Sequence, residues 1–243
     1  MELAEIKNIC HDVEGSLAYT EAELLYKLAH NCIGKGVIVE VGSFQGKSTI
    51  FLGKGSISAS QTKVYAIDPH IGEMHKGVYD YQPTWEKFYS NINKYEVENI
   101  VFPIRKTSEE AGKYFDEPIE LIFIDGLHDY ESVKRDFEIW FPKVIPGGIM
   151  AFHDTCNSHS GSRDVAYQYI YKSKQFTNTG LINSITFAEK KQASQLDMLL
   201  NHLTLLQNYI YEFEAKHPSL PKILKRKIKE FKKKQEKKKL TRI

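Results

Sequence analysis

The 243 residues, 42% of them hydrophobic and 26% charged, are enough for one sizeable α/β domain with an appendage. The formal net charge of +2 is uneven, because residues 222–243 hold ten Lys and two Arg against two Glu, so that the remainder carries −8. Three widely spaced cysteines argue against a disulfide scaffold and a zinc site. The sequence shows no signal-peptide pattern, and no apolar run approaches the ~20 residues that a membrane span needs. We therefore expect a cytoplasmic location.

The first part of the chain predicts helices followed by a central strand. Residues 2–33 are helical in pattern, and Thr20-Glu21-Ala22-Glu23 fits a capping box. The apolar run 37–41 predicts a buried parallel strand, and the glycines of Gly42-Ser43-Phe44-Gln45-Gly46 predict a tight turn into a helix over about 46–53. Gly42 allows a sharp turn and the close approach of a ligand, which the N–H groups of the helix would face. The spacing of this turn is neither the dinucleotide-binding pattern nor a P-loop.

Strands and helices then alternate along the chain. Four further strands are predicted at 63–68, 101–104, 119–125 and 149–153. Helices are predicted at 85–95, at 108–114 with Ser108 as the cap, at 130–141 and at 162–171. Residues 70–84 are irregular in pattern, Pro146-Gly147-Gly148 predicts a turn, and 184–189 predicts a last strand. This alternation predicts an α/β fold with a doubly wound, mostly parallel, Rossmann-like sheet, whose ligand lies along the edge formed by the carboxyl ends of the strands.

The C-terminal part predicts a helical extension, which divides the chain into a domain at 1–190, a helical segment at 191–217 and a basic tail at 218–243. Leucine, isoleucine and phenylalanine in the helical segment keep the 3-4 spacing of a heptad seam, at positions 196, 199, 203, 206, 210 and 213. This seam either packs on its own domain or joins two copies in a homo-oligomer.

The tail is either a solvated terminus or a peripheral contact with an anionic membrane at residues 222–243, where a narrow stripe of Leu224, Ile228 and Phe231 would enter the headgroups. A single aromatic ring is too few for a platform that stacks single-stranded bases, so we expect no specific nucleic-acid partner.

Acidic residues, glycines and histidines recur where the predicted strands end. Asp68 ends the second strand, Asp125 is followed by Gly126 and His128 after the fourth, and His153-Asp154 follows the fifth. In this order "EVGSFQGKS", "AIDP", "FIDGLHDYESVKRDFEIW", "PGG" and "FHD" resemble the class I methyltransferases that depend on S-adenosyl-L-methionine (SAM). Within that class they resemble the branch of macrocin-type and rhamnosyl O-methyltransferases and the proteins named cephalosporin hydroxylases. The likeness covers about residues 15–190.

The resemblance implies SAM as the cofactor and assigns residues to it. Asp68 would accept hydrogen bonds from the ribose hydroxyls, and Ser108 would lie near the adenine. The remaining residues would form the pocket around the cofactor, and they are Glu40, Gly42, Ser43, Gly46, Ser48 and Asp125.

The resemblance also implies a divalent metal, with Mg²⁺ expected, at Asp125 and Asp154. Two carboxylates at neighbouring strand ends hold such an ion through oxygen and leave positions for substrate hydroxyls, which become more acidic when coordinated. A histidine then takes the hydroxyl proton, with His128 as the first candidate and His153 as the second, either as base or as a neighbour of the metal. The macrocin-type pattern commonly has an acid after the glycine where this chain has Leu127 and His128, so the metal and the base stay open.

The function that the resemblance implies is O-methylation of a hydroxyl, on a sugar of a glycan or glycolipid, with a small natural product as the alternative acceptor. A nucleotide-binding module with a membrane- or RNA-binding tail is the competing class, which a SAM titration distinguishes. A hydroxylase is disfavoured because no triad of two histidines and one carboxylate is evident. The histidines in predicted loops, His70, His75, His159 and His217, are expected to be solvated.

Overall fold

The computed structural model describes residues 1–75, 78–80, 84–156, 161–217 and 219–242. Its centre is a mixed sheet of seven strands. In chain order these are β1 (Val37–Val41), β2 (Val64–Ile67), β5 (Val101–Ile104), β6 (Ile119–Ile124), β7 (Val144–Phe152), β8 (Phe176–Ile182) and β9 (Ile185–Lys190). A separate antiparallel pair is formed by β3 (Glu73–His75) and β4 (Val78–Asp80).

Helices cover both faces of the large sheet. They are α1 (Leu3–Asp12), α2 (Tyr19–His30), α3 (Lys47–Ile57), α4 (Trp85–Lys94), α5 (Ser108–Tyr114), α6 (Tyr130–Trp140), α7 (Gly161–Val165), α8 (Gln195–Lys216) and α9 (Lys222–Arg242). A 3₁₀ turn at Phe141–Lys143 follows α6, and α7 continues as a π-helical segment at Ala166–Tyr171. Within the described residues no helix is long and apolar enough to cross a membrane.

The order of the strands confirms the predicted Rossmann-like sheet. The order is β5-β2-β1-β6-β7-β9-β8, in which β5, β2, β1, β6 and β7 run parallel and β9 and β8 are antiparallel to their neighbours. Because chain order reverses on either side of β1, the carboxyl ends of β1, β2, β6 and β7 meet at one edge, where open α/β sheets bind ligands.

The central strands are buried on both faces, which explains their unbroken apolar sequences. Alternate residues point to opposite sides, so that Ile38 packs in the cluster beneath α2 and α3 while its neighbour Val39 packs beneath α5 and α6. The same alternation places Leu121 and Phe123 on the first side and Ile122 on the second. Two hydrophobic layers thus hold the sheet edge in place.

Several predicted boundaries are wrong in detail. Pro146-Gly147-Gly148 lies inside β7 as an irregularity, because the strand register passes from Val144 opposite Ile119 to Ile149 opposite Leu121. Strand β8 was not predicted, and it completes a hairpin with β9. The helix after β5 is capped by Thr107, whose hydroxyl accepts the N–H of Glu110 at 3.2 Å, and Ser108 is its first helical residue. Helix α2 begins at Tyr19 with Ala18 as its cap, rather than at Thr20.

Helix α8 packs on the domain through the face opposite its heptad seam. Asn201 donates to the carbonyl of Phe176 at 3.0 Å and accepts from the Thr179 hydroxyl at 3.0 Å. Leu205, one turn later, is buried in the core. The six seam positions are 38% to 64% exposed in the single chain.

Helix α9 carries the basic tail, and its last turn returns to the domain. Leu240 is buried, and its carbonyl accepts a hydrogen bond from the Lys27 ammonium of α2 at 2.5 Å. The tail is thus helical, and its end contacts the body.

Candidate active site

The turn after β1 depends on two glycines with left-handed backbones. Gly42 has φ 87° and Gly46 has φ 89°, conformations that cost other residues free energy. A Cβ on Gly42 would lie 2.2 Å from the carbonyl oxygen of Asp125. The space that was expected to admit a ligand is therefore filled by the end of β6. Gly42 serves here to bring the ends of β1 and β6 together.

Glu40 anchors the start of α3 from inside the protein. Its buried carboxyl group accepts hydrogen bonds from the hydroxyls of Ser48 and Thr49 in the first turn of that helix. Burial raises the pKa of Glu40 to about 8, against the lowering effect of these two hydrogen bonds. The Ser48 hydroxyl is thus engaged with Glu40 rather than directed at the turn.

Two buried oxygen atoms at this turn favour a bound polar ligand. The Ser43 hydroxyl and the Glu40 Oε1 atom have no hydrogen-bond partner among the described residues. A buried polar group without a partner costs roughly 1–3 kcal/mol, so such groups in native proteins call for an explanation such as a ligand or water. Both atoms belong to the segment that is predicted to hold SAM, and the residues present therefore fit that cofactor.

Asp68 stands at the end of β2 and holds the neighbouring loops. Its Oδ2 accepts the N–H of Phe44 at 2.8 Å, and its Oδ1 accepts the N–H of His70 at 2.6 Å. A carboxylate has about four acceptor positions, so both oxygens keep capacity for ribose hydroxyls. Asp68 therefore links the turn after β1 to the loop after β2 in addition to its predicted role.

Three residues other than glycine adopt left-handed backbones at the ends of strands along this edge. Phe44 has φ 45° after β1, His70 has φ 54° after β2 and Asp154 has φ 56° after β7. Such conformations typically cost 1–3 kcal/mol and concentrate at functional sites. Their placement marks this edge independently of the sequence motifs.

Ser108 is engaged in a buried hydrogen-bond chain. Its hydroxyl accepts from the indole N–H of Trp140 at 2.8 Å and also contacts Asp136, whose pKa burial raises to about 6. Any contact of Ser108 with adenine would therefore use its backbone rather than its hydroxyl.

His153 lies between two carboxylates at the end of β7. Its Nδ1 is 3.0 Å from Asp125 Oδ1, and its Nε2 is 3.5 Å from Glu21 Oε2 of α2. The ring is only 5% exposed. Burial alone would lower the pKa of His153, but the nearby carboxylates of Asp125 and Glu21 outweigh it and raise the pKa to about 11. Both ring nitrogens of His153 thus face a carboxylate.

His128 and Asp154 form a second, more open pair beside it. His128 Nε2 lies 3.6 Å from Asp154 Oδ2, and the histidine side chain is 47% exposed. The loop that carries His128 is fixed where it enters α6, because the His128 carbonyl accepts the N–H of Gly161 at 2.7 Å and Asp129 caps α6 through the N–H of Ser132 at 3.0 Å. This pair faces solvent and is accessible to an acceptor.

The two predicted metal ligands lie near each other. Asp125 Oδ1 and Asp154 Oδ1 approach the same atom, His153 Nδ1, at 3.0 Å and 3.6 Å. Among the described residues no group of three or more histidines, cysteines or acids has the arrangement of a metal site. A protein-only cage is thus not evident in the described ranges, whereas two carboxylates completed by water and substrate oxygen suit Mg²⁺.

The expectation that loop histidines are solvated is wrong for His70. Its ring is buried between Trp85 and Phe88, with Nδ1 2.9 Å from the Thr84 hydroxyl, and burial lowers its pKa. His217 is exposed, as expected. The side chain of His75 and the whole of His159 lie outside the described residues.

Sequence reasoning missed two residues that complete this edge. Glu21 was interpreted only as part of a helix start, and Ser184 only as the start of a strand. The Ser184 carbonyl accepts the N–H of Thr155 at 2.9 Å, which fixes the residue after Asp154. No motif links either residue to this edge, because each is brought there by tertiary packing.

Comparison with known proteins supports the assignment of the fold and of the domain. Residues 39–155 match the family described as "Methyltransferase domain". The uncharacterized protein y4gI of Sinorhizobium fredii is 34% identical over 123 residues, which cover 49% of this chain and 13% of that protein. The chain therefore spans only a small part of this relative.

Solved structures share the fold at low sequence identity. The O-methyltransferase TomG from Streptomyces achromogenes, in complex with SAM, has a TM-score of 0.56 and 15% identity, covering 78% of this chain and 89% of TomG. An O-methyltransferase from Bacillus cereus, in complex with SAH, has a TM-score of 0.53 and 19% identity, covering 77% of this chain and 90% of that one.

Proposed function

We propose that this chain, which matches the family described as "Methyltransferase domain" at residues 39–155, is a class I SAM-dependent methyltransferase that transfers the methyl group to a hydroxyl oxygen of its acceptor. The observation that supports this most directly is the exposed His128–Asp154 pair beside the edge predicted to bind SAM. A hydroxyl must lose its proton as its oxygen is methylated, and this pair offers a base with a carboxylate partner.

The cofactor would lie along the turn after β1, with Asp68 on the ribose and Ser43 and Glu40 offering their unpaired buried oxygens. Bound SAM supplies an activated methyl group, so the protein has to orient the acceptor and take up one proton. Gly42, Gly46 and Phe44, all with left-handed backbones, set the path of this turn beside the predicted cofactor site.

His128 is the stronger candidate for the base. Both ring nitrogens of His153 face carboxylates, and its ring is buried, so it presents no free nitrogen to an acceptor. The Nε2 of His128 faces only the Asp154 carboxylate within ion-pair distance among the described residues, and its side chain is open to solvent. Asp154 would orient the ring and stabilise the charge that it gains on taking the proton.

Asp125 and Asp154 are the residues that would hold Mg²⁺. The ion would make a coordinated hydroxyl more acidic and thus ease the removal of its proton by His128. Chelation with EDTA tests whether methyl transfer needs the ion. If the base acts without a metal, the rate of methyl transfer stays unchanged in EDTA.

For the acceptor class, we propose a sugar hydroxyl of a glycan or glycolipid, on the resemblance to macrocin-type and rhamnosyl enzymes. A small natural product is the second candidate, since TomG is described as involved in tomaymycin synthesis. The non-catalytic alternative is a nucleotide-binding module, which would bind SAM without turning it over.

The test has two stages. Calorimetry with SAM and SAH measures cofactor binding, and no binding by the wild-type chain would reject the methyltransferase function. Methyl transfer from labelled SAM is then measured against sugars, glycolipids and phenolic natural products, with and without EDTA. We expect a His128→Asn variant to lose about 10²- to 10⁴-fold in rate while it keeps its affinity for SAM. Full activity of that variant would assign the base elsewhere.

A further inference from the structure

Glu21 is a buried acid that the proposed reaction does not use. It lies on α2 and is 2% exposed, outside the segment that matches the methyltransferase family. Its Oε1 accepts the N–H of Ser184 at 2.9 Å and the Ser184 hydroxyl at 2.5 Å, while its Oε2 accepts the N–H of Ala18 at 2.8 Å. Its Oε2 also faces His153 Nε2 at 3.5 Å, the distance of an ion pair rather than of a short hydrogen bond.

The contact with Glu21 defines how the His153 ring is held. Nδ1 faces Asp125 on one side and Nε2 faces Glu21 on the other, so the ring is held at both nitrogens. Its plane also stands at 76° to the ring of Phe123, with centroids 6.1 Å apart. Without Glu21 the ring would lose its partner at Nε2 and would be free to turn its Nδ1 toward Asp154 Oδ1, now 3.6 Å away.

We propose that Glu21 is a positioning residue for the methyl-transfer site: it fixes the His153 ring, and through this ring it fixes the Asp125 carboxylate at the end of β6. The catalytic consequence of this inference rests on the proposed function, whereas the contact between Glu21 and His153 is independent of it. Outer partners that orient such groups typically contribute 10- to 100-fold in activity. Helix α2 and the β8–β9 turn thereby become parts of the site, because Glu21 joins both to the end of β7.

Two variants separate this role from simple support of the fold. Glu21→Gln keeps the shape of the side chain, and since Ser184 offers two donors to Oε1, the amide oxygen should stay there. The amide nitrogen then faces His153 and also the N–H of Ala18, so the start of α2 loses one acceptor, a cost that thermal unfolding measures. Ser184→Ala is the matched control, because it removes one hydrogen bond from the same carboxylate and leaves the contact with His153 intact. Both proteins are first checked by thermal unfolding and by SAM calorimetry.

The deciding measurement is ¹H–¹⁵N NMR of the imidazole, assigned by the absence of its signals in His153→Asn. We expect the ring ¹⁵N signals of the wild type and of Ser184→Ala to coincide, and those of Glu21→Gln to shift, because the group that faces Nε2 has changed. The rate of methyl transfer to the acceptor identified among the sugars, glycolipids and natural products should fall about 10- to 100-fold in Glu21→Gln only, with the affinity for SAM unchanged.

Unchanged ring signals in Glu21→Gln, or an equal loss of turnover in Ser184→Ala, would overturn the proposal. If Glu21→Gln does not fold, Glu21→Asp, which withdraws the carboxylate by one methylene, is measured in the same way with the same criteria. If the wild type fails to bind SAM, the proposed function falls, while the NMR result still decides whether Glu21 holds the ring.

Discussion

Asp68 combines a structural and a binding role at the scale of one residue, because the N–H groups of Phe44 and His70 already use both its oxygens. Replacing it by alanine removes the charge-assisted contacts to ribose, each worth roughly 1.5–3 kcal/mol, and also releases the two loops. We therefore expect SAM affinity to fall by at least about tenfold. Asp68→Asn keeps one acceptor oxygen without the charge and should show an intermediate loss. Calorimetry measures both, and unchanged affinity in Asp68→Ala would contradict the assignment to ribose.

Glu40 makes stability depend on pH in a direction that can be tested. Its pKa is about 8 in the folded protein against an ordinary value of 4.5, so between these values the folded state holds a proton that the unfolded state releases. This contribution is fully present below pH 4.5 and is lost as the pH rises through 8. The free energy of unfolding of the wild type should thus fall relative to Glu40→Gln over this range. Urea unfolding at several pH values measures the difference, in which the shared effect of Asp136 cancels; parallel profiles would contradict it.

Single residues were predictable where a motif fixes them. Gly42, Asp68, Asp125 and Asp154 all lie at the edge that the strand order creates, as their positions after apolar runs suggested. The partners of their side chains were not predictable, because they depend on packing. Nothing local to Glu21 indicates that it faces His153, which is 132 positions away along the chain.

At the scale of elements, α8 satisfies part of both interpretations of its heptad pattern. The face with Asn201 and Leu205 packs on the domain, and the seam on the other side remains exposed. We propose that a second copy covers this seam.

Leu203→Glu with Leu206→Glu should convert a dimer to a monomer in light scattering, because each buried leucine contributes about 1.5–3 kcal/mol. Tyr114→Glu, at a still more exposed large side chain elsewhere on the surface, should have no effect. A wild type that is monomeric at high concentration would reject the dimer.

The parallel core could be predicted from its alternating elements, whereas the end of the sheet could not. Hairpin β8–β9 begins in a sequence of Thr, Asn and Gly, which carries little strand signal of its own. Phe187 of β9 would lie 2.0 Å from a Cβ on Gly180, so the hairpin depends on this close contact between side chain and backbone. Likewise Pro146-Gly147-Gly148 signals a turn locally, but pairing with β6 extends the strand through it.

At the scale of the whole molecule, an acidic body is joined to a strongly basic helix. Attachment of α9 to an anionic leaflet would bring the catalytic edge near a lipid-linked acceptor, and we propose this arrangement. The Leu224 and Phe231 side chains are about 40% exposed and are available to the headgroups. The buried Leu240 and its contact with Lys27 show that complete removal of the tail would also disturb the body. A sharper variant therefore changes charge alone.

Reversal of four exposed lysines, Lys227, Lys229, Lys233 and Lys234, to glutamate tests the membrane proposal while keeping Leu240 in place. Each lysine near an anionic leaflet contributes ~1 kcal/mol, so the loss should be several hundredfold or more in affinity for phosphatidylserine vesicles, from about 4 kcal/mol. Binding of the wild type should weaken with salt, because the Debye length shrinks from ~10 Å at 0.1 M to ~3 Å at 1 M. Activity on a soluble acceptor should be retained, since these lysines lie outside the site. Co-sedimentation with vesicles measures the binding. If the variant with reversed charges sediments with vesicles as the wild type does, or if the wild type does not sediment with them at low salt, α9 is a solvated helix. If the wild type instead binds RNA in preference to vesicles, the basic charge of α9 serves a nucleic-acid partner.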